Sequence, residues 1–322
     1  MGSDDLPPEL LVIASLQNGL VTRAQLAAGG ISAAAVRHRS QRSWRHVLPG
    51  VVALSSAALS PEQRLVAAQL MCGGSARVSG STAARWHGIA SVVDDGRVHM
   101  QVPVNQAARR SGFVIATRSR RIPSGAVCSG IVRFAPLPRA VADAARTARS
   151  DRIATAIVIE ALQRGLVRPQ DLDHELGAGA QRGSSILRRA MATARTGAWS
   201  VAEVDLLDLL ATSRVLPPAW PNPELRAPDG VALPSPDAWF DDVGLAVQVH
   251  SAQHHSSPAD WDRTVRVDSI FAEYGISRLA VTPHDVQTNG QGVLDRIERA
   301  HAARVGQRRP AVSMKARGPG LA

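Results

Sequence analysis

Histidine and carboxylate side chains cluster in the C-terminal third of the chain, where they could bind a divalent metal ion. His250, His254 and His255 fall within six positions, and Asp237 precedes them. Imidazole nitrogens suit Zn²⁺ or Mn²⁺ better than Mg²⁺. Because adjacent side chains of a strand point to opposite faces, His254 and His255 cannot both enter one site. The metal hypothesis therefore uses Asp237, His250 and His255, whereas the favoured alternative is a scaffold that binds no metal.

Sequence segments in a fixed order surround these residues. Pro236-Asp237 comes first, the apolar run 245–249 leads to His250, and Val281-Thr282-Pro283 follows. This order resembles the C-terminal domain of bacterial proteins related to the very-short-patch-repair endonuclease, which have a PD-(D/E)XK nuclease-like fold. The resemblance places His255 at the family's downstream histidine. The site positions that it implies are Glu203, Asp237, Gln248 and His250.

The chain departs from the family pattern at two of these positions. Family members have glutamate and aspartate where this chain has Gln248 and His250. An intact site of this type uses two or three carboxylates to hold Mg²⁺, which activates water. Only Glu203 and Asp237 remain, and the family's lysine is missing from the domain. The resemblance therefore favours an inactive domain without a cofactor. The alternative is a DNA endonuclease that uses Mg²⁺ or Mn²⁺ at the four positions.

The elements that would position this site follow from the apolar pattern. Ser200 is placed to cap a helix that carries Glu203, and residues 244–250 read as a buried strand. Further along, the pattern predicts a helix over 259–274, a strand over 277–281 and mostly helix over 285–304. The order α-β-β-β-α-β-α matches a nuclease-like core.

A second constellation lies near the N-terminus. Apolar residues on one face of 8–19 predict a helix that stops at Asn18-Gly19. Thr22 and Ser32 are placed to cap two further helices, and residues 44–54 predict two short strands around a Pro-Gly turn. Two helices, a glycine turn, an arginine-bearing helix and a hairpin are typical of a winged helix-turn-helix.

The matching phrases are residues 19–26, 30–32, 36–37 and 44–51. They resemble the N-terminal winged helix-turn-helix of AbiEi-type antitoxins, an abortive-infection family of DNA-binding proteins. The resemblance implies binding to double-stranded DNA and autoregulation of a promoter. A helix in the major groove reads base edges, while flanking cations reach phosphates. The expected DNA-binding residues are Arg23, Arg37, Arg39, Arg42 and Arg45. A protein-interaction module of the same fold is the alternative.

The distribution of charge favours a nucleic-acid partner. The chain has a formal net charge of +10, and residues 10–61 contain five arginines and no acid. Residues 96–142 contain eight arginines and again no acid, whereas residues 200–300 hold 15 acids against seven arginines. A basic region without acids is the electrostatic footprint of a polyanion-binding protein. The acidic C-terminal region is expected to repel phosphate unless it binds metal.

Composition excludes several classes of protein. The single lysine, Lys315, lies in a Gly/Pro-flanked tail, so neither a phosphate-loop NTPase nor Schiff-base chemistry has the lysine it needs. No apolar run approaches the roughly 20 residues that cross a bilayer. The acidic start of the chain does not resemble a signal peptide. Cys72 and Cys128 lie far apart, which predicts two buried thiols in a cytoplasmic protein.

Together these patterns predict an α+β protein. Its expected parts are a winged helix-turn-helix over 1–58, a mixed strand and helix region over 59–195, a nuclease-like domain over 196–304 and a basic disordered tail over 305–322. The predicted function is that of a transcriptional regulator or antitoxin-like protein. An antitoxin that binds a cognate toxin through its acidic domain is a further alternative. A homodimer is expected because winged-helix regulators commonly read paired half-sites.

Overall fold

The computed structural model describes residues 6–179, 183–195, 200–250 and 258–316, with side chains from residue 265 onward in the last range. The protein is of the mixed α+β class, as predicted. The chain divides into two compact units. Unit 1 comprises Met1–Ile157 and Leu166–Leu187, and unit 2 comprises Val158–Gly165 and Arg188–Ala322.

The elements up to residue 178 alternate between helices and short strands. In chain order they are α1 (Pro8–Leu16), β1 (Leu20–Thr22), α2 (Arg23–Ala28), α3 (Ala33–Ser40), β2 (Arg45–Leu48), β3 (Val51–Ala53), α4 (Pro61–Cys72), β4 (Arg77–Val78), α5 (Gly80–Trp86), β5 (Val98–Pro103), β6 (Arg109–Ser111), β7 (Val114–Ser119), β8 (Val127–Ser129), β9 (Val132–Phe134), α6 (Leu137–Arg146), α7 (Asp151–Gln163) and α8 (Pro169–Ala178).

The elements from residue 185 onward begin with two helices and continue as mixed structure. In chain order they are α9 (Ser185–Ala194), α10 (Val201–Leu210), β10 (Trp220–Pro221), β11 (Glu224–Arg226), β12 (Ala232–Leu233), β13 (Ala238–Phe240), β14 (Leu245–Val249), α11 (Pro258–Glu273), β15 (Ser277–Val281), α12 (Pro283–Thr288), α13 (Gly290–Ala302) and β16 (Ser313–Lys315).

The first three strands form an antiparallel sheet in the order β1-β3-β2, against which α1, α2 and α3 pack. Local capping explains why the helices begin where they do. Thr22 Oγ1 accepts the backbone N–H of Gln25 at 3.1 Å, and Gln25 returns a side-chain oxygen to the N–H of Thr22 at 2.7 Å. Ser32 caps α3 by accepting the N–H of Ala35 at 3.2 Å. These caps satisfy N–H groups that a helix start leaves without partners.

Close packing requires glycine in the turn between α2 and α3. A β-carbon on Gly29 would lie 2.4 Å from Leu10 Cδ1, because α1 crosses directly over the turn. Leu10, Leu26 and Trp44 are buried in the core that this crossing creates. A larger residue at position 29 would therefore force the side chain of Leu10 to move.

Helix α4 joins this small sheet to a larger one. It contacts β1, β2 and β3, and it also contacts β4, β5 and β9 of a six-stranded sheet with the order β6-β7-β5-β4-β9-β8. Val66, Ala67 and Ala68 of α4 are buried. Because one helix supplies core to both sheets, unit 1 continues past the predicted domain boundary at residue 58.

A buried carboxylate on α6 organises the rest of unit 1. Asp143 Oδ2 accepts hydrogen bonds from Ser79 Oγ at 2.7 Å, from Gln101 Nε2 at 2.5 Å and from Arg139 Nε at 2.7 Å. Its Oδ1 accepts from Arg146 Nη1 at 3.0 Å. One side chain thereby forms hydrogen bonds with β5, with the residue that precedes α5 and with two turns of α6.

Unit 2 contains a four-stranded sheet in the order β10-β13-β14-β15. β14 runs antiparallel to β13 and parallel to β15, and α11 connects the parallel pair. One face packs on α10, α12 and α13 through Leu206, Val247 and Ile297, and the other packs on α11 through Ala246 and Phe271. The helix and strand order predicted for this region is present, with a second small sheet, β12-β11-β16, added to it.

Two expectations about the chain's ends and thiols need correction. Residues 305–322 are predicted to be disordered, whereas in the described part, residues 305–316, β16 pairs with β11 at Met314↔Leu225 and Val312 is buried; residues 317–322 lie outside the described residues. Apolar contacts to Leu225 explain this order, which the basic composition conceals. Cys72 is buried as expected, but Cys128 is exposed because it lies on the edge strand β8. None of the helices described here is both long and apolar enough to span a membrane.

The Asp143 network predicts a large loss of stability on neutralising its centre. We expect Asp143→Asn to lower the free energy of unfolding by about 3–5 kcal/mol, because it removes the carboxylate that accepts from the buried Arg139 and the half-buried Arg146. Urea-induced unfolding followed by circular dichroism measures the effect. The control is Asp171→Asn, which breaks an exposed pair with Arg168 and should leave the midpoint almost unchanged. Equal midpoints for both variants would show that Asp143 does not hold unit 1 together.

Candidate functional site

The predicted site residues of unit 2 meet where β13 and β14 pair. Asp237 immediately precedes β13, and its Oδ2 accepts the backbone N–H of Val249 at 2.6 Å. Ala238 pairs with Val247, so Asp237 and Gln248 fall opposite each other on one face of the sheet. His250 lies two residues further along the same face, and its N–H donates to Val281 O at 2.8 Å. The structure therefore brings Asp237, Gln248 and His250 to one edge of the sheet.

Glu203 reaches the site from α10. Ser200 Oγ caps this helix by accepting the N–H of Glu203 at 3.1 Å. The side chain of Glu203 is buried, and its Oε2 accepts from Asn222 Nδ2 at 2.7 Å. Asn222 is itself buried and has a φ of +43°, a left-handed conformation that asparagine tolerates better than most residues. Asn222 therefore fixes the carboxylate that the helix presents.

Two neighbouring carboxyl groups shape the electrostatics of this site. Burial and, after it, the nearby carboxylate of Glu203 raise the pKa of Asp237 to about 7. The N–H of Val249 and the charge of Arg278 act in the opposite direction on this pKa. A buried carboxyl next to a second carboxylate holds its proton to higher pH, because two like charges in a low-dielectric site repel.

Arg278 on β15 occupies the face that Gln248 and His250 share. Its Nε donates to Gln248 Oε1 at 2.6 Å, its Nη2 contacts His250 Nε2, and its Nη1 pairs with Asp268 of α11. Burial lowers the pKa of the Arg278 guanidinium, while the charge of Asp237 partly restores it. The site therefore contains a cation, which Gln248, His250 and Asp268 contact.

This arrangement does not fit a divalent metal ion. The oxygen of Gln248 already accepts from Arg278, Nε2 of His250 is in contact with the same guanidinium, and Asp237 Oδ2 holds a backbone N–H. A resident positive charge also opposes a second cation. Over the residues that the structure describes, no group of three or more His, Cys, Asp or Glu side chains is arranged to hold a metal. His255, the third predicted ligand, lies outside the described residues.

The predicted DNA-binding arginines differ in exposure. Arg23 at the start of α2, Arg37 on α3 and Arg42 after α3 are exposed. Arg39 is half-buried, with its guanidinium 5.1 Å from the centre of the Trp44 ring. Arg45 is also half-buried, and its Nε has no hydrogen-bond partner. Three of the five arginines are therefore fully exposed, whereas Arg39 packs on Trp44 and Arg45 is half-buried.

Sequence reasoning missed three residues of the unit 2 site. Arg278, Asp268 and Asn222 complete its hydrogen bonds, yet none belongs to the motif that identifies the four predicted positions. One signal was available for Arg278. It is the only cation within the predicted strand 277–281, and a charged residue on a buried strand requires a partner. No comparable signal points to Asn222.

Comparisons with known proteins show little about this chain. No protein-family model matches it, and no curated protein does. Among solved structures, it is similar to the crystal structure of the RV2827C protein from Mycobacterium tuberculosis, with 17% sequence identity and a TM-score of 0.36. The match covers 56% of this chain and 75% of that chain. A TM-score at this level supports no conclusion about fold or function.

The raised pKa of Asp237 predicts a specific pH dependence of stability. In the unfolded chain an aspartate ionises near pH ~4, so between about pH 4 and 7 the folded protein binds the extra proton. Stability must then fall as pH rises through this window. We expect Asp237→Asn to reduce the fall between pH 5 and pH 8 by about 2–3 kcal/mol, measured by urea unfolding followed by tryptophan fluorescence.

The matched control is Asp208→Asn, which removes an exposed carboxylate from α10 of the same unit. It should retain the pH dependence of the parent protein. A parent-like pH dependence in Asp237→Asn would instead mean that the titrating proton resides elsewhere, with Glu203 the first candidate.

Proposed function

We propose that this protein binds double-stranded DNA through its N-terminal winged helix-turn-helix and acts as a transcriptional regulator or antitoxin-like protein. The observation that carries the proposal is the order α1-β1-α2-α3-β2-β3 with the sheet order β1-β3-β2. In that arrangement α3 corresponds to the recognition helix and the β2–β3 hairpin to the wing. Residues 10–61 supply five arginines and no acid to its surface.

The exposed face of α3 suits a close approach to the major groove. Ala33 and Ala34 form its exposed first turn, and Arg37 and His38 follow on the same exposed side. Small side chains let the helix backbone come near the base edges, where a methyl group can touch thymine. Arg37 has the reach and geometry for the O6 and N7 atoms of guanine. We therefore assign base reading to Arg37 and His38, and phosphate contacts to Arg23 and Arg42.

Arg39, which is half-buried, has a supporting role in this proposal. Arg39 packs on Trp44, which is part of the core beneath α3. This contact anchors the end of α3 to the beginning of the wing. Arg39 therefore orients the helix, and its charge adds to the field around the DNA without a direct contact to a base.

For unit 2 we propose a nuclease-like scaffold that does not cleave DNA. The support for this is the cation of Arg278, which holds Gln248 and His250. One observation favours the competing function of a metal-dependent endonuclease, namely the buried pair Glu203 and Asp237, whose charges interact. Catalysis by such a pair would require metal, and Arg278 opposes it.

DNA binding predicts a loss specific to the exposed arginines. We expect Arg37→Ala combined with Arg42→Ala to lower affinity about 10- to 100-fold and to reduce the slope of log K against log salt by about 1–2. Fluorescence anisotropy with labelled genomic duplexes at several salt concentrations measures both. The control, Arg168→Ala with Arg226→Ala, removes the same charge from exposed positions elsewhere. Equal affinities for the two double variants would contradict the assignment of α3.

An inactive unit 2 predicts that duplex and plasmid DNA remain intact. Purified protein is incubated with DNA in Mg²⁺, Mn²⁺ or EDTA, and native and denaturing gels are run together. We expect a shifted but uncut band that does not depend on metal. Cleavage that requires Mn²⁺ or Mg²⁺ and disappears in Asp237→Ala would establish the endonuclease instead.

A further inference from the structure

The hairpin of β2 and β3 does not project freely from unit 1. It lies against the β6–β7 hairpin of the six-stranded sheet, where a β-carbon on Gly112 would be only 3.3 Å from Leu48 Cδ2. Clefts open along both sides of β2, with volumes of about 310 and 400 Å³. We name them together the wing cleft, whose polar and aromatic lining is Arg23, Arg45, His46, Arg64, Ser111 and Phe113.

The lining of the wing cleft is cationic. Arg23, Arg45 and Arg64 contribute guanidinium groups from α2, β2 and α4, and no acidic residue lines either part. Arg23 lines one part of the cleft beside the β2–β3 turn, where its backbone N–H donates to Gly50 O at 2.8 Å, and Arg45 and Arg64 line the other part. Their charges therefore form a track that begins beside α2 and continues past the hairpin.

Arg64 is held in place at the far end of this track. Its guanidinium lies over Phe113, 4.6 Å from the ring centre, and its Nη2 donates to Gly96 O. The pKa of Asp94 is lowered by a hydrogen bond from Arg85 and, less strongly, by the charge of Arg64. Asp94 forms its ion pair with Arg85 rather than with Arg64. The guanidinium of Arg64 is thus held in place by Phe113 and Gly96, and no ion pair occupies it within the described part of the chain.

The guanidinium groups of Arg45 and Arg64 are only partly satisfied inside the protein. Nε is buried in both residues and has no hydrogen-bond partner, and neither residue forms an ion pair within the described part of the chain. A half-buried cation without a counter-charge costs free energy that an anionic ligand recovers. Two such cations on one cleft indicate an anion-binding surface.

We propose that the wing cleft binds a backbone phosphate of DNA, with Arg45 and Arg64 as the phosphate contacts. The inference rests on the proposed DNA binding and extends it beyond the winged helix-turn-helix to α4 and the β6–β7 hairpin. A nucleotide effector is a poorer fit, because Arg64 already covers a face of Phe113 on which a base would stack. Cations in both parts of the cleft suit a DNA strand that continues from α3 along the β2–β3 hairpin.

The test compares the salt dependence of DNA binding for Arg64→Gln, Arg64→Lys and the control Arg168→Gln. Each lost phosphate contact lowers the slope of log K against log salt by about 0.9. We expect this loss in Arg64→Gln, with an affinity about 5- to 20-fold lower near physiological salt. Arg64→Lys keeps the charge and should keep the slope. Arg168→Gln removes an equal charge from an exposed position and should also keep it.

A second arm locates the phosphate. Single phosphates of the duplex are replaced by neutral methylphosphonates, and binding is measured for the parent protein and for Arg64→Gln. The phosphate that Arg64 contacts is the one whose neutralisation weakens the parent protein but has little further effect on Arg64→Gln. Additive losses at every phosphate would overturn the contact.

The outcomes separate this inference from the proposed function. DNA binding with an unchanged slope in Arg64→Gln overturns the wing cleft as a DNA site and leaves the proposed function standing. Equal losses in Arg64→Lys and Arg64→Gln assign the effect to packing on Phe113 and also overturn it. Failure of the parent protein to bind DNA overturns both proposals. Calorimetric binding of inorganic phosphate that Arg64→Gln abolishes, without any change in DNA affinity, would assign the cleft to a free anion instead.

Discussion

The need of buried and half-buried guanidinium groups for hydrogen-bond acceptors is the constraint on which both units depend. The chain has 37 lysine and arginine residues, of which only Lys315 is lysine. Arginine keeps its proton in proteins, so a buried arginine must be given acceptors. Asp143 does this for Arg139 and Arg146 in unit 1, and Gln248 does so for Arg278 in unit 2. In the wing cleft, Arg45 and Arg64 have no ion-pair partner among the described residues, and an external anion would supply one.

Local signals made much of the fold predictable. The helices α2, α3 and α10 begin directly after Thr22, Ser32 and Ser200, because an N-cap residue and the helix it starts are neighbours in sequence. The Pro49-Gly50 turn was equally readable, since Gly50 adopts a φ of +78° that few other residues tolerate. In unit 2 the positions of Asp237 and Gln248 followed from the motif, and pairing of β13 with β14 brings them together.

Long-range pairing set the limit of prediction. Ser79 and Asp143 are 64 positions apart, and Gln248 and Arg278 are 30 apart, so their contacts depend on sheet register and helix packing. A register shifted by one residue would turn Arg278 to the other face of the sheet. The strand β16 was missed for a similar reason, because its partner β11 lies about ninety residues earlier and its own basic flanks suggest a solvated tail. The composition of a segment does not show which other segment it pairs with, and this pairing is what makes β16 an ordered strand.

Gln248 and His250 both contact the guanidinium of Arg278, and neither side chain is a carboxylate. A carboxylate at either position 248 or position 250 would face Arg278 and form an ion pair with it, which would use up the oxygens that a metal requires. Gln248 instead accepts a hydrogen bond from the guanidinium without adding charge, and His250 Nε2 contacts the same group. Restoring one carboxylate therefore cannot restore a metal site while Arg278 remains. Arg278, Gln248 and His250 form one connected arrangement, and this is the physical support for the proposal that unit 2 is a scaffold.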